Sequence, residues 1–136
     1  MNDRFIDTNV LLRHLAQDHP DHSYRATRLI EEIARGNIRG HISETVIFEV
    51  IFTMTKTYSM PRQTTHNLMV QLLSLHHLIL PTKLDILEAL NYWREQSPLS
   101  FADCYHLVRT KSLGLTEIYS FDKKMGRYPG VSRIEP

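Results

Sequence analysis

Four carboxylates stand where this chain can do metal-assisted chemistry: Asp7, Glu49, Asp103 and Asp122. Asp7 directly follows a short apolar run, Arg4–Ile6, that reads as a first strand. Asp122 lies two residues beyond another, Glu117–Ser120. In open parallel sheets the functional crevice lies outside the carboxyl ends of the strands, which is where both acids fall. Asp103 belongs to the first turn of a late helix. Glu49 lies inside the helix after the second strand, with Phe48 and Phe52 beside it. Carboxylates converging on one spot hold Mg²⁺ or Mn²⁺, which take oxygen ligands and retain several waters. Each acid also has a structural explanation. Asp7-Thr8-Asn9 can cap a helix, and Ser100-x-x-Asp103 has the capping-box pattern. Asp122 before Lys123-Lys124 suits a turn, and Glu49 can pair with Lys56 or Thr53 on an exposed helix face. Their joint placement around one edge favours the metal reading.

The elements that must position these acids alternate between short apolar runs and longer helical stripes, the pattern of βαβ units and a parallel sheet. Val10–Ala16 reads as a helix, and Ser23 as the cap of a second one with Ala26, Leu29, Ile30, Ile33 and Ala34 at helical spacing. Gly36-Asn37 ends it. Arg39–Ile42 is the second strand. Ser43 then opens a helix to Tyr58 along the stripe Val46, Ile47, Val50, Ile51 and Met54. Met60-Pro61 restarts the chain, Leu78–Leu80 is the third strand, and Thr82–Asp85 opens a helix through Trp93. A helix from Ser100 to near Gly114 precedes the fourth strand, and Val131–Ile134 is a fifth. The expected fold is α/β: a three-layer α/β/α sandwich on a short, mainly parallel sheet, formed as a single domain by residues 1–136.

Composition narrows the class. At 136 residues, 42% hydrophobic and 23% charged, the chain has ordinary globular content. Cys104 is the sole cysteine, so there is neither an internal disulfide framework nor a thiolate-only zinc site. The start Met1-Asn2-Asp3-Arg4 lacks a signal layout and no apolar run is long enough to span a bilayer, so a soluble, cytoplasmic protein is expected. The net charge of +1 is not that of a strongly basic nucleic-acid binder, although six basic residues face three acids from Arg109 onward. Eight histidines raise zinc, but His19-x-x-His22 and His76-His77 lack partner pairs at zinc-finger spacing. Trp93 and Tyr105, at helical spacing with aliphatics, read as core rather than as a stacking platform.

Phe5-Ile6-Asp7-Thr8-Asn9-Val10-Leu11-Leu12 resembles the opening of PIN-domain proteins, the VapC-type toxin nucleases in particular. The resemblance continues through Ser43-Glu44-Thr45-Val46-Ile47-Phe48-Glu49-Val50, then Phe101-Ala102-Asp103, then Tyr119-Ser120-Phe121-Asp122, in order along essentially the whole chain. It implies a Mg²⁺- or Mn²⁺-dependent endoribonuclease, the toxin of a type II toxin–antitoxin module, with Asp7, Glu49, Asp103 and Asp122 as its acidic quartet. One or two ions would polarise the scissile phosphate and generate a nucleophilic hydroxide near neutral pH. On this reading Asp7 and Asp103 ligate metal directly, while Glu49 and Asp122 act as ligands or bases. Thr8, Asn9 and Ser120 orient those carboxylates by hydrogen bonds, and Lys123, Lys124 and Arg127 contact phosphate. Some relatives carry a further acid after the last motif, where this chain has Lys123-Lys124.

The resemblance also implies an RNA substrate, a homodimer, and inhibition by a small VapB-type antitoxin. Phe48 and Phe52, or the helix after Pro61, are the expected dimer surface, since a helix apolar nearly all round is normally buried on more than one side. Two other readings stand beside the nuclease. A haloacid-dehalogenase-like phosphatase needs a carboxylic acid two residues after Asp7, where Asn9 stands. A catalytically inactive PIN-like module would bind RNA or protein on the same fold.

Overall fold

Strand pairing begins at the second residue of the chain, in a computed structural model that describes residues 2–95 and 98–136. The chain divides into two compact units, Met1–Lys83 and Leu84–Pro136. In the first, strand β1 (Asn2–Phe5) leads into helices α1 (Thr8–Ala16) and α2 (Pro20–Ala34), then β2 (Ile38–His41). Helix α3 (Glu44–Phe52) follows, then a π-helical turn (Thr53–Thr57), α4 (Arg62–Leu73) and β3 (Leu78–Ile79). The strands form one parallel sheet in the order β1-β2-β3, with Arg4 opposite Gly40 and Gly40 opposite Leu78. Parallel neighbours need crossover connections, which the helices between them supply.

Gly40 explains how the sheet receives its helix. A Cβ there would sit 2.5 Å from Ile6 Cδ1 and 2.9 Å from Ile33 Cδ1. Ile6, from the end of β1, and Ile33, from the buried stripe of α2, meet over the missing side chain, both fully enclosed. Helix α1 buries Leu11, Leu12 and Leu15, which fall on one face at helical spacing, and α3 buries Val46, Ile47, Val50 and Ile51. Each fully buried aliphatic of this kind contributes about 1.5–3 kcal/mol relative to exposure.

The start of α2 differs from the sequence expectation. Its N-cap is His19, whose Nδ1 accepts the His22 N–H at 3.0 Å, with Pro20 in the first turn. Ser23 lies inside the helix, buried, and its hydroxyl accepts the His19 N–H at 3.2 Å. A proline and an upstream ring acceptor together start the helix at Pro20, three residues before the serine. This also accounts for the His19–His22 pair, whose rings stack at 4.0 Å. Helix α3 is shorter than its apolar stripe: the π-helical turn takes over at Thr53, and Tyr58 closes it by donating its N–H to Thr53 at 3.1 Å.

The second unit contains most of α5 (Lys83–Glu95), then α6 (Phe101–Ser112), β4 (Glu117–Tyr119), a 3₁₀ turn (Lys123–Gly126) and β5 (Ser132–Ile134). β4 and β5 pair in parallel, Ile118 opposite Arg133. Trp93 meets Phe101 edge-to-face at 5.9 Å, Tyr128 stands against Tyr92 at 4.8 Å, and Tyr128 donates its hydroxyl to Glu88 at 2.6 Å. Arg109 and Ser112 from α6 both donate to Asp85 Oδ2 on α5, at 3.1 and 2.9 Å. Trp93 and Tyr105 are core residues, as expected. The chain thus has the expected α/β class, with helices alternating with short parallel-paired strands. Among the described residues no helix is long and apolar enough to cross a membrane.

Candidate active site

Pairing of β1 runs one residue past the strand, Ile6 donating its N–H to His41 at 2.9 Å, and Asp7 follows at once. Its backbone is extended, φ −76° and ψ 157°, in the N-cap position of α1. The carbonyl accepts the Val10 N–H at 3.1 Å, but the carboxylate makes no capping hydrogen bond. An Asp that capped here would contribute about 1 kcal/mol. This one leaves that contribution unused and is exposed just beyond the carboxyl end of β1. Asp7 thus holds the N-cap position of α1 without a side-chain cap.

Glu49 is exposed on α3, on the face away from Val46, Ile47 and Val50, and it makes no ion pair with Lys56. Its freedom stands out against the other acids of the unit. Asp3 accepts from His41 at 2.8 Å, which with Arg39 holds its carboxyl below the usual range. Asp18 is held low by the Tyr58 hydroxyl and by Arg13. Asp21 pairs with Arg25, Glu31 with Arg28, and Glu32 with Asn37 and Arg35. Glu44 accepts from Thr82 Oγ1 at 3.0 Å. Among the described residues of this unit, Asp7 and Glu49 alone have carboxylates with neither a hydrogen bond nor an ion pair.

The Glu44–Thr82 bond is a feature that sequence reasoning missed. Ser43 and Glu44 lie just beyond β2 and Thr82 just beyond β3, so the bond bridges adjacent ends of the sheet. It engages the hydroxyl that the sequence offers as a cap for α5. A Glu directly after an N-cap Ser at a strand end was the available signal.

In the second unit the capping pattern is real. Ser100 Oγ accepts the Asp103 N–H at 3.1 Å and Asp103 Oδ2 accepts the Ser100 N–H at 3.3 Å, a reciprocal capping box. This orients Asp103 through Oδ2 and leaves Oδ1 available. Asp122 starts the 3₁₀ turn, its Oδ1 accepting the Lys124 N–H at 2.9 Å, with Lys124 Nζ 3.7 Å from Oδ2. Ser120 accepts the Asp122 N–H at 3.0 Å, so it steadies the backbone of Asp122 and not its carboxylate. Thr8 is buried, Asn9 is exposed, and neither hydrogen-bonds to the Asp7 carboxylate. Lys123, Lys124 and Arg127 are exposed on and after the turn. Within each unit, among the described residues, no three His, Cys, Asp or Glu side chains are gathered as a ready-made metal site. The four acids named by the sequence offer hard carboxylate oxygens, with the carboxylates of Asp7 and Glu49 unpartnered, a donor chemistry that would suit Mg²⁺ or Mn²⁺.

Residues 4–131 match the PIN domain, so nearly the whole chain is covered, from the first strand to the residue before the last strand. The chain belongs to the PIN-domain family. It is also similar to a VapC ribonuclease of Aquifex aeolicus (strain VF5), 23% identical over 133 residues that cover 98% of this chain and 96% of that protein. The PIN-domain match takes in all four carboxylates, together with the basic turn after β4.

Proposed function

We propose that this PIN-domain chain is a Mg²⁺- or Mn²⁺-dependent endoribonuclease, the toxin of a type II toxin–antitoxin module, built as a single nuclease domain. The observation that carries the reading is the unpartnered state of Asp7 and Glu49 in a unit whose other acids are all engaged. An acid kept at a sheet edge without a structural partner is available to a ligand, and the similarity to a VapC ribonuclease supplies the chemistry. Asp7, Glu49, Asp103 and Asp122 form the acidic quartet on this reading, Asp7 and Asp103 as metal ligands. Glu49 and Asp122 are ligands or proton acceptors.

A bound divalent ion would neutralise charge on the phosphodiester and acidify the attacking water. The chain's own part is positional. The capping box turns Asp103 so that one oxygen remains free, and Ser120 holds the Asp122 backbone. Glu49, exposed and unpaired, can accept a proton from water. Lys123, Lys124 and Arg127 attract the RNA backbone by charge. The partners proposed are RNA, a VapB-type antitoxin and a second copy of the chain through the α3 face that exposes Phe52; the proposed location is the cytoplasm.

The test is cleavage of total RNA by purified protein with Mg²⁺ or Mn²⁺, with EDTA, and with Asp7→Asn. Site-specific cuts that need metal and vanish in Asp7→Asn are expected. Cuts that persist in EDTA would overturn the metal reading. RNA binding without any cleavage would identify an inactive binding module.

A further inference from the structure

Helices α1 and α2 flank an open cleft of about 500 Å³ whose lining includes none of the four acids. Its floor is apolar, made by Val10, Ala26 and Leu29, and its polar lining is Asn9, Arg13, His22 and Arg25. No acid lines it. Arg13 and Arg25 each engage one nitrogen, with Asp18 at 3.0 Å and Asp21 at 3.2 Å, so most of their N–H donors remain free. His22 is already half of a stacked ring pair, 4.0 Å from His19 and 16° from parallel. An aliphatic floor with a planar ring and two guanidinium groups fits a nucleobase joined to phosphate. Bases pack on apolar and planar surfaces, while guanidinium forks bind phosphate oxygens. Asn9 is two residues from Asp7, so the backbones of the cleft mouth and of the proposed catalytic acid lie within about 7 Å.

We infer that the α1–α2 cleft is a nucleotide subsite: it holds one ribonucleotide of the single-stranded substrate next to the scissile bond. Val10 and Leu29 lie against the base, and Arg13 and Arg25 against the phosphate. The inference rests on the ribonuclease reading for its substrate class and extends it to selection of the flanking base.

The experiment measures binding apart from turnover. A fluorescent single-stranded RNA octamer is titrated in EDTA against full-length protein carrying Asp7→Asn, alone and combined with Arg25→Gln or Leu29→Glu. Arg25 is an exposed residue of a surface ion pair, so Arg25→Gln leaves the fold intact even if Leu29→Glu does not. Arg25→Gln should weaken binding by about five- to tenfold and lower the log–log salt slope by about 0.7, the loss of one phosphate contact. Uridine monophosphate should shift the amide resonances of Asn9, Val10 and Leu29, which inorganic phosphate alone should leave unmoved. Unchanged RNA affinity in Arg25→Gln, with no response of these amides to the nucleotide, overturns the inference. Loss of a co-purifying small protein with RNA affinity intact overturns it too, and makes the cleft a peptide groove. The ribonuclease reading fails separately, if the unsubstituted protein cuts no RNA with Mn²⁺ while cleft variants still weaken RNA binding.

Discussion

Ser100 and Asp103 hold one another at the start of α6, each backbone N–H donating to the other's side chain at 3.1 and 3.3 Å. One acid thus has a structural and a proposed chemical role, divided between its two oxygens. Asp103→Asn keeps an oxygen for the box, so it should change stability by less than about 1 kcal/mol while reducing cleavage about 100-fold or more. Ser100→Ala removes one cap acceptor and should cost about 1 kcal/mol, with the carboxylate retained and cleavage reduced far less. Thermal melts and initial rates on the same preparations check both. Equal losses of activity in the two variants would assign Asp103 a structural role only.

The Asp7 carboxylate makes no capping hydrogen bond, and the expected behaviour of its variant follows from that. Asp7→Asn should leave metal-free stability equal or higher and abolish cleavage. Mn²⁺ at 100 times its Kd should stabilise the unsubstituted protein by about 2.7 kcal/mol and Asp7→Asn far less. Melting temperatures with and without Mn²⁺ read this directly. No metal response in either protein would sink the assignment.

Stability should fall on both sides of neutrality, for separate reasons. Burial holds the His14 imidazole below its ordinary value of 6.5, against a smaller opposing pull from Glu31, and Nδ1 lies 2.9 Å from Thr27 Oγ1. Below pH 6.5 the unfolded chain takes up a proton that folded His14 resists, so stability declines as pH falls. At the alkaline end, burial and the Glu88 carboxylate push the Tyr128 hydroxyl well above its ordinary value of 10.0. Above that pH the unfolded tyrosine ionises first, so stability declines as pH rises. Denaturant titrations from pH 5 to 11 should show both slopes, with His14→Gln flattening the acid one and Tyr128→Phe the alkaline one.

Gly40→Ala places a methyl 2.5 Å from Ile6 Cδ1. Overpacking of this kind costs about 1–3 kcal/mol. Chemical denaturation should show that loss, and adding Ile6→Val should recover part of it by withdrawing the clashing carbon.

Phe52 is 64% exposed on α3. If this face is the dimer interface, Phe52→Glu should convert a dimer to a monomer in sedimentation at micromolar concentration. A monomeric parent protein would end that proposal.

Local patterns were legible in the sequence because their partners lie within one turn. The box at Ser100-x-x-Asp103, the Ser43 cap of α3 and the apolar stripes of α1 and α3 all depend on residues three or four apart, which helical geometry makes neighbours. The order of the motifs around Asp7, Glu49, Asp103 and Asp122 was legible for the same reason, each being a short string at a strand or helix end. What each acid touches was not. Glu44 and Thr82 are 38 positions apart, and only strand register makes them meet. Ser23 has the residue type of a cap, yet the His19 ring takes the capping place and Ser23 lies inside the helix. The freedom of Asp7 and Glu49 is a property of the fold, since it depends on where every neighbouring cation has gone. So is the cleft between α1 and α2, whose floor and cations come from two helices. Spacing along one chain orders residues within a turn, whereas partners and cavities depend on distances that only packing in three dimensions sets.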